Sequence, residues 1–188
     1  MPCSGARLVR TVVAVVLSLT AFSARGQTPA PEAAKPQPGS VAATRVRTDH
    51  LEIRTRVSDG IVAPGAPFTL VLDITPRSRM HVYAPGATDY RVIELAMTSM
   101  QGVTFRPAQF PPAEIYEFVP LNEHVPVYQK PFQLIQPVMV DAPAAPPADG
   151  DSLTIKAVLH YQACDDKICF LPVSVPVSWT LKIKRGGL

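Results

Sequence analysis

The sequence predicts an all-β chain with the architecture of an immunoglobulin-like β-sandwich. Apolar and polar residues alternate with a period of two in many short runs, which is typical of strands that bury one face. Proline is frequent, with 21 prolines in 188 residues, and it separates these runs. We find no stretch with the apolar spacing of a helix. Seven or eight short strands in about 140 residues favour a two-sheet sandwich, and a small barrel is the alternative.

The predicted strands follow one another with turn residues between them. Pro64 and Gly65 separate the first two, and this pair favours a turn. The alternating residues of these two strands are Leu51, Ile53, Thr55, Val57, Phe68, Leu70, Leu72 and Ile74. Further strands are predicted over residues 80–84, 92–97, 103–106, 132–140, 152–162 and 173–184. The last two have the most regular alternation.

The N-terminus has the pattern of a secretory signal. Arg7 and Arg10 precede an apolar run over residues 12–22, and the small residues Ala24 and Gly26 follow it. This order is that of a cleavable signal peptide. The run is also shorter than the roughly 20 apolar residues of a membrane-spanning helix. The predicted regions are a signal peptide over 1–26, a flexible Pro/Ala-rich linker over 27–48 and a sandwich domain over 49–188.

The charge of the chain gives no sign of a nucleic-acid partner. The formal net charge of +3 comes from Arg7, Arg10 and Arg25, which lie in the predicted signal peptide. The remaining sequence is neutral overall and has no cluster of Lys and Arg of the kind that binds phosphates. We therefore expect an exported protein that does not bind nucleic acid.

Two cysteines remain after the predicted signal peptide. Cys164 and Cys169 are separated by four residues and lie between the last two predicted strands. In an oxidising compartment such a pair predicts a disulfide. If the two strands form a hairpin around residues 165–168, the cysteines face one another. Facing Cα atoms of antiparallel strands lie about 4.5 to 5.5 Å apart, inside the disulfide range of about 4.4 to 6.8 Å.

The spacing and strand position of this pair favour exchange chemistry over a structural bridge. A loop of about six residues gains only about 2 kcal/mol from a disulfide, against nearly 5 for a loop of a hundred. Strand parity places Cys164 on the polar face with His160 and Gln162, near solvent unless a loop covers it. Accessibility is what exchange requires.

The neighbouring residues predict which sulfur is attacked. Asp165 and Asp166 follow Cys164 and would repel an incoming thiolate, whereas an apolar segment beginning at Phe170 follows Cys169. We therefore expect attack on Cys169. The two carboxylates also disfavour a thiolate on Cys164, which predicts a reductant rather than an oxidant.

Other chemistries compete with this interpretation. His160, Cys164 and Cys169 are three metal ligands at most, and their spacing is not a common zinc spacing. We therefore expect no metal and no cofactor. One alternative is a non-enzymatic immunoglobulin-like binding module with a structural disulfide. The other is a copper-handling envelope protein, for which Met80 and His81 are too few ligands to argue.

The cysteine segment resembles a known family. Residues 161–164 (Tyr-Gln-Ala-Cys), followed by Cys169 and Pro172, resemble the active-site hairpin of the N-terminal periplasmic domain of the DsbD thiol:disulfide interchange family. A weaker likeness extends over residues 48–184. The resemblance implies an immunoglobulin-like periplasmic domain in which Cys164 and Cys169 are the catalytic pair and Tyr161 is their neighbour.

The resemblance also implies a cap over the disulfide. Residues 107–126 contain many apolar side chains between prolines, and we predict a long loop that covers part of the molecule. In the family a phenylalanine of such a loop shields the sulfur atoms. Tyr116, Glu117 and Phe118 resemble the core of that loop, so Phe118 is the predicted cap residue, and Phe110 is the second candidate.

A second segment resembles the strand beside the family's active site. Met80, His81, Val82 and Tyr83 are similar to an aromatic-rich strand of the family. The resemblance places His81 and Tyr83 near the cysteines. From composition alone, Tyr83 is equally well a core residue with a polar tip.

The resemblance implies the partners of the chain. Family reductases continue into a membrane electron conduit and a thioredoxin-like domain, whereas this sequence ends at Leu188. We therefore expect a thioredoxin-like electron donor supplied in trans and linked to a membrane conduit. The expected acceptors are oxidised periplasmic proteins, including cytochrome maturation factors. The implied activity is that of a protein-disulfide reductase component.

Overall fold

The computed structural model describes residues 44–118, 123–141 and 152–184, and no helix occurs among them. The predicted signal peptide and most of the predicted linker lie outside these residues. The described residues contain no helix long and apolar enough to cross a membrane. The strands are β1 Arg45–Arg47, β2 Leu51–Val57, β3 Ile61–Val62, β4 Pro67–Pro76, β5 His81–Tyr83, β6 Glu94–Met97, β7 Val103–Phe105, β8 Glu114–Phe118, β9 Glu123–Tyr128, β10 Phe132–Val140, β11 Ser152–Tyr161, β12 Ala163–Cys164 and β13 Val173–Ile183.

Two sheets form the sandwich. The first has the order β1-β2-β4-β10-β7, and the second has the order β3-β13-β11-β6. All neighbouring strands in them are antiparallel except β3 and β13. The inward residues of both sheets share one apolar core. This architecture confirms the predicted immunoglobulin-like sandwich, and the sheets are separate rather than closed into a barrel.

The predicted alternation decides which residues form the core. In β11 the buried residues are Ile155, Ala157, Leu159 and Tyr161, and in β13 they are Val175, Val177, Trp179, Leu181 and Ile183. Trp179 also donates its indole N–H to the backbone oxygen of Val71 in the first sheet, at 3.3 Å. Full burial of each large apolar side chain is worth about 1.5 to 3 kcal/mol. The core therefore fixes the two sheets against each other.

A third, smaller sheet carries the residues of interest. Its order is β12-β5-β9-β8, so it joins short strands from three distant parts of the sequence. A second apolar cluster in it contains Tyr83, Val127 and Cys164. This sheet was not predicted, because strands of two to six residues are too short to show a period.

The prediction of a long loop over residues 107–126 has to be corrected. The structure forms a hairpin of β8 and β9 in this segment, with Tyr116 opposite Val125. Most of the prolines precede β8 or fall outside the described residues. Pro126 lies within β9 opposite Ile115, and its carbonyl accepts a hydrogen bond from the N–H of Ala84 at 2.9 Å. A proline is tolerated in a strand where only its carbonyl is needed.

The end of the predicted linker over residues 27–48 overlaps the first strand of the structure. Strand β1 lies within it and pairs with β2, with Val46 opposite Ile53. Val46 packs against the main core, and the flanking residue Arg45 forms an ion pair with Glu52. One apolar side chain in a polar run is therefore enough to add an edge strand, because the open edge of β2 supplies the backbone partners.

Candidate functional site

The site is built around the predicted disulfide, which the structure contains. Cys164 ends β12 and pairs with His81 of β5. Cys169 faces Cys164 in an antiparallel bridge, and the two Cα atoms are 4.0 Å apart. The backbone N–H of Asp165 donates to the oxygen of Ile168 at 3.0 Å. The four-residue turn between the cysteines is thus formed as the sequence predicts.

The two cysteines differ in exposure. Cys164 is buried, with 1% of its surface exposed, whereas Cys169 is exposed. Strand parity predicted a Cys164 near solvent unless a loop covers it, and Cys164 is instead buried in the third sheet. The extended run stops at Gln162, so β12 leaves the β11–β13 pair and joins the third sheet. Gln162 holds this break by donating a side-chain hydrogen bond to the oxygen of Phe170 at 3.0 Å.

Tyr83 lies against both sulfur atoms. Its hydroxyl oxygen is 3.0 Å from Cys164 Sγ and 3.4 Å from Cys169 Sγ. Its ring is buried and stacks on Tyr90, with ring centroids 3.9 Å apart and an angle of 10° between the planes. Tyr90 was not predicted from the sequence as a site residue. Its sequence signal was weak, because it is an isolated aromatic residue after a Pro-Gly turn.

His81 joins the cysteine strand to the β8–β9 hairpin. It is buried and stacks on Tyr116 with ring centroids 4.6 Å apart. It also meets Tyr83 edge to face, at 5.6 Å. Burial holds the pKa of His81 below its usual value, and the Asp165 carboxylate partly opposes that shift. His81 is therefore neutral at pH 7.

The β8–β9 hairpin borders the recess that contains the disulfide, and we call its described strands, Glu114–Phe118 and Glu123–Tyr128, the cap hairpin. Tyr116 and Val125 of this hairpin line a cavity of about 190 Å³. The remaining lining residues are His81, Tyr83, Tyr90, Cys164, Asp165, Asp166, Lys167, Ile168 and Cys169. Cys169 and the buried Cys164 therefore share one partly apolar recess with the aromatic residues.

Phe118 and Glu117 are the other two residues predicted to form the cap. The side chain of Phe118 lies outside the described part of the structure, so its shielding role stays a prediction. Glu117 is exposed, and its carboxylate is 3.8 Å from Nδ1 of His124 on the neighbouring strand. Glu117 thus belongs to the cap hairpin without lining the cavity.

Charges surround one side of the disulfide. Hydrogen bonds from the N–H groups of Ile168 and Lys167 lower the pKa of Asp165. A side-chain hydrogen bond from Arg79 at 3.0 Å lowers the pKa of Asp166. Arg79 adopts a φ of 66°, a left-handed conformation that is uncommon for residues other than glycine. Both carboxylates are therefore ionised beside the cavity at neutral pH.

Apolar residues flank the exposed cysteine. Ile168 precedes Cys169 and is 57% exposed, and Leu171 follows it and is 85% exposed. Exposed apolar side chains gathered at one place are typical of protein contact sites. Cys169 is thus flanked in the sequence by exposed apolar residues, whereas Asp165 and Asp166 follow the buried Cys164.

Two other candidate residues lie elsewhere. Tyr161 is fully buried in the main core, and its hydroxyl forms a 2.9 Å hydrogen bond with Thr48 Oγ1. Phe110 packs against the same core rather than in the cysteine cluster. Tyr161 does not line the cavity, and its place beside the active site stays a prediction. Phe110 is likewise not placed over the disulfide.

Within the described ranges no group of three or more His, Cys, Asp or Glu side chains is arranged to hold a metal ion. His160, one ligand of the competing metal site, instead shares a hydrogen bond with Ser174 Oγ through Nδ1, at 2.8 Å. The two residues face each other on β11 and β13. His160 is therefore part of the sandwich surface rather than of the cysteine site.

Comparison with known proteins gives similarity to solved structures only. No protein-family model matches the chain, and no curated protein matches it. The chain is similar to the N-terminal periplasmic domain of ScsB from Proteus mirabilis, with a TM-score of 0.48 and 14% identity over 76% of this chain and 52% of that chain. It therefore spans about half the length of the ScsB domain it matches.

Two further solved structures are similar to the chain. The DsbD N-terminal domain from Neisseria meningitidis, in the reduced form, has a TM-score of 0.41 and 18% identity, over 60% of this chain and 77% of that chain. The GAE domain of GGA2p from Saccharomyces cerevisiae has a TM-score of 0.40 and 13% identity, over 74% and 96%. A DsbD N-terminal domain is thus one of the solved structures to which the chain is similar.

Proposed function

We propose that the chain is a thiol-disulfide interchange module of the bacterial periplasm. In this proposal it accepts electrons from a thioredoxin-like donor, supplied in trans, and passes them to oxidised envelope proteins through Cys164 and Cys169. The observation that carries the proposal is the unequal exposure of the two cysteines. One is exposed and flanked in the sequence by exposed apolar residues, and the other is buried beside a hydrogen-bond donor.

A purely structural role explains this disulfide poorly. Hydrogen bonds already close the turn, including one from the N–H of Phe170 to the oxygen of Ala163 at 2.9 Å. A bridge across about six residues adds only about 2 kcal/mol. The sandwich core is formed by other residues, so the bridge does not connect the two large sheets. Exchange chemistry gives a reason for a bridge in this position.

The exposure difference defines a reaction order. A donor thiolate attacks Cys169 Sγ and forms a mixed disulfide, while the bond to Cys164 Sγ breaks and its electron pair leaves with Cys164. The second donor thiolate then attacks the donor sulfur of the mixed disulfide and releases Cys169. The donor is now a disulfide, and this chain holds two electrons and, after protonation, two protons as a dithiol.

The reduced chain delivers its electrons by the same chemistry in reverse. The Cys169 thiolate attacks a disulfide of the acceptor protein and forms a second mixed disulfide. Cys164 then attacks Cys169 Sγ, which releases the reduced acceptor and restores the Cys164–Cys169 bond. Cys164 is thus the resolving thiol, and its burial keeps it from forming mixed disulfides of its own.

The proposed location rests on the N-terminal signal pattern and on the disulfide. Cytosolic conditions keep such thiols reduced, whereas exported proteins retain disulfides. In this setting the cap hairpin has a function, since it limits access of small thiols to a recess that a partner protein must open. Tyr116, and by prediction Phe118, are the residues that we assign to this shielding.

Trapping of a partner tests the proposal. With Cys164 changed to Ala, this chain has no resolving thiol. A thioredoxin-like protein that keeps only its attacking cysteine, activated as a mixed disulfide with thionitrobenzoate, should therefore lose thionitrobenzoate and accumulate as a stable mixed disulfide with Cys169 on non-reducing gels. The Cys169→Ala variant should trap poorly, because its remaining thiol is buried. Equal or better trapping by Cys169→Ala would reverse the assignment. If neither variant traps a partner, the structural-disulfide alternative is correct.

The reduction potential gives a second measurement. Structural disulfides have potentials below about −300 mV, whereas exchange sites lie above that value. Equilibration of the Cys164–Cys169 pair with glutathione or dithiothreitol mixtures should give a potential on the exchange side. A potential well below −300 mV would favour a binding module with a structural bridge.

A further inference from the structure

The Tyr83 hydroxyl is placed to act on the buried sulfur. A disulfide sulfur carries no hydrogen, so the hydroxyl is the donor in the contacts of 3.0 Å to Cys164 Sγ and 3.4 Å to Cys169 Sγ. It has one hydrogen, and the shorter distance is to Cys164. We propose that Tyr83 is a catalytic residue of the exchange reaction, whose hydroxyl donates a hydrogen bond to Cys164 Sγ as that sulfur leaves as a thiolate. The inference rests on the proposed function.

The ring of Tyr83 is held in place before any reaction begins. Tyr83 is only 4% exposed, and its backbone lies in β5 opposite Val127 of the cap hairpin. Tyr90 stacks on one face of the ring, and His81 contacts it edge to face. A donor fixed in this way needs no reorganisation when charge develops, which is the condition for electrostatic stabilisation of a transition state.

Cys164 needs such a donor more than Cys169 does. It is buried, and a thiolate away from water is costly unless a polar group compensates it. The nearest charges in the sequence, Asp165 and Asp166, are negative and disfavour the thiolate further. Hydrogen bonds to a charged acceptor are about twice as strong as those between neutral groups. The contact with Tyr83 therefore strengthens as the S–S bond breaks.

The proposed role of Tyr83 is consistent with the movement of electrons and protons in each exchange step. In the first step the electron pair of the S–S bond goes to Cys164 Sγ, and Tyr83 stabilises that charge without giving up its proton. When the reduced chain delivers electrons, the same hydrogen bond keeps a larger fraction of Cys164 as the nucleophilic thiolate. The hydroxyl is unchanged after a full cycle, as a catalytic group must be.

Removal of the hydroxyl tests the role. The Tyr83→Phe variant keeps the ring and its stacking on Tyr90. We expect its disulfide to be reduced by dithiothreitol about tenfold or more slowly than the wild-type disulfide. In a Cys169→Ala background, the same change should raise the pKa of the Cys164 thiol by about one unit or more, measured from thiolate absorbance near 240 nm.

A second variant covers the case in which Tyr83→Phe does not fold. Site-specific incorporation of 3-fluorotyrosine at position 83 makes the hydroxyl a stronger donor and keeps the ring, so it should lower the pKa of Cys164. Tyr128→Phe is the matched control, because Tyr128 is as buried as Tyr83, at 5% exposed, but its hydroxyl donates to the oxygen of Pro111 at 2.8 Å. It should change neither the reduction rate nor the pKa.

The outcomes separate this inference from the proposed function. A Cys164 pKa that is the same with Tyr83 and with Phe at that position overturns the inference, whatever the reduction rate. A slower reduction in Tyr83→Phe without a change in that pKa shows a structural role and also overturns it. If the Cys164→Ala variant traps no partner protein while the pKa of Cys164 in the Cys169→Ala background shifts as expected, the proposed function fails and the hydrogen bond from Tyr83 to the Cys164 thiolate stands.

Discussion

The ring of Tyr116 stacks on His81 with centroids 4.6 Å apart, and His81 is the residue that pairs with Cys164 in the third sheet. The cap hairpin therefore contacts β5, the strand that pairs with the buried cysteine. Opening of the hairpin must break this stack. The contact links access to the disulfide with the position of Cys164 itself.

Loss of the Tyr116 ring should make the disulfide more accessible. A stacked aromatic pair is worth about 0.5 to 1.5 kcal/mol, so Tyr116→Ala should speed reduction by dithiothreitol about two- to tenfold. Ile115→Ala is the matched control, since Ile115 is the adjacent residue and is 60% exposed. Equal rates for the two variants would show that Tyr116 does not restrict access.

Phe118 remains the residue predicted to shield the sulfur atoms. If it does, Phe118→Ala should increase the rate of reduction by a small thiol without a large loss in the free energy of unfolding. The rate would be followed from tryptophan fluorescence or from quenched thiol labelling. Reduction kinetics that match the wild type would remove Phe118 from the site and leave Tyr116 as the shielding residue.

The exposed apolar residues beside Cys169 should matter only for protein partners. Residues at the centre of an interface often cost more than 1 kcal/mol when removed. Leu171→Ala and Ile168→Ala should therefore slow exchange with a thioredoxin-like protein about fivefold or more, while reduction by dithiothreitol changes little.

Ile61→Ala is the control for this surface. Ile61 is 59% exposed and pairs with Lys182, near the end of β13 away from the disulfide. It should leave both rates unchanged. A similar loss in the Ile61 variant would mean that the effect comes from removal of any exposed apolar side chain rather than from a docking contact beside Cys169.

His81 should make the folded state less stable in mildly acidic solution. Its pKa is lowered in the folded state, chiefly by burial, so the unfolded chain binds the proton first as the pH falls from about 6.5. The free energy of unfolding should therefore decrease with falling pH, by at most about 1.4 kcal/mol per pH unit, until His81 is protonated in the folded state too.

Urea unfolding at several pH values between 7 and 5 checks this sign. The carboxylates with lowered pKa, among them Asp73 and Asp165, lose their contribution only at lower pH, near their ordinary values of about 4. His81→Gln should thus show a flatter dependence between pH 6.5 and 5. A dependence as steep as that of the wild type would assign the effect to another group.

The predictions from sequence were accurate where the signal was local. The alternation in β11 and β13 identifies the buried residues because side chains of a strand change face at every residue. The close spacing of Cys164 and Cys169 was enough to predict their disulfide, since a four-residue turn brings the strand ends together. Strand β10 has the predicted bounds, Phe132–Val140.

The errors came from pairing between distant segments. The prolines over residues 107–126 indicated a loop, but β8 begins just after Pro112, and β9 pairs both with it and with the distant β5. The single apolar residue Val46 was too weak a signal for β1, which exists because β2 offers an open edge. Tyr90 was missed for the same reason, since only the fold brings it to Tyr83.

The sequence by itself determined a β-sandwich, its core residues and a disulfide across a short turn, because period-two alternation and cysteine spacing act over a few residues. Only the tertiary structure decided which sulfur is buried. Parity counted along β11 predicts a Cys164 near solvent, yet β12 pairs with β5 instead of continuing beside β13. That exchange of partners turns Cys164 toward Tyr83 and leaves Cys169 exposed, and it depends on contacts between residues more than 80 positions apart.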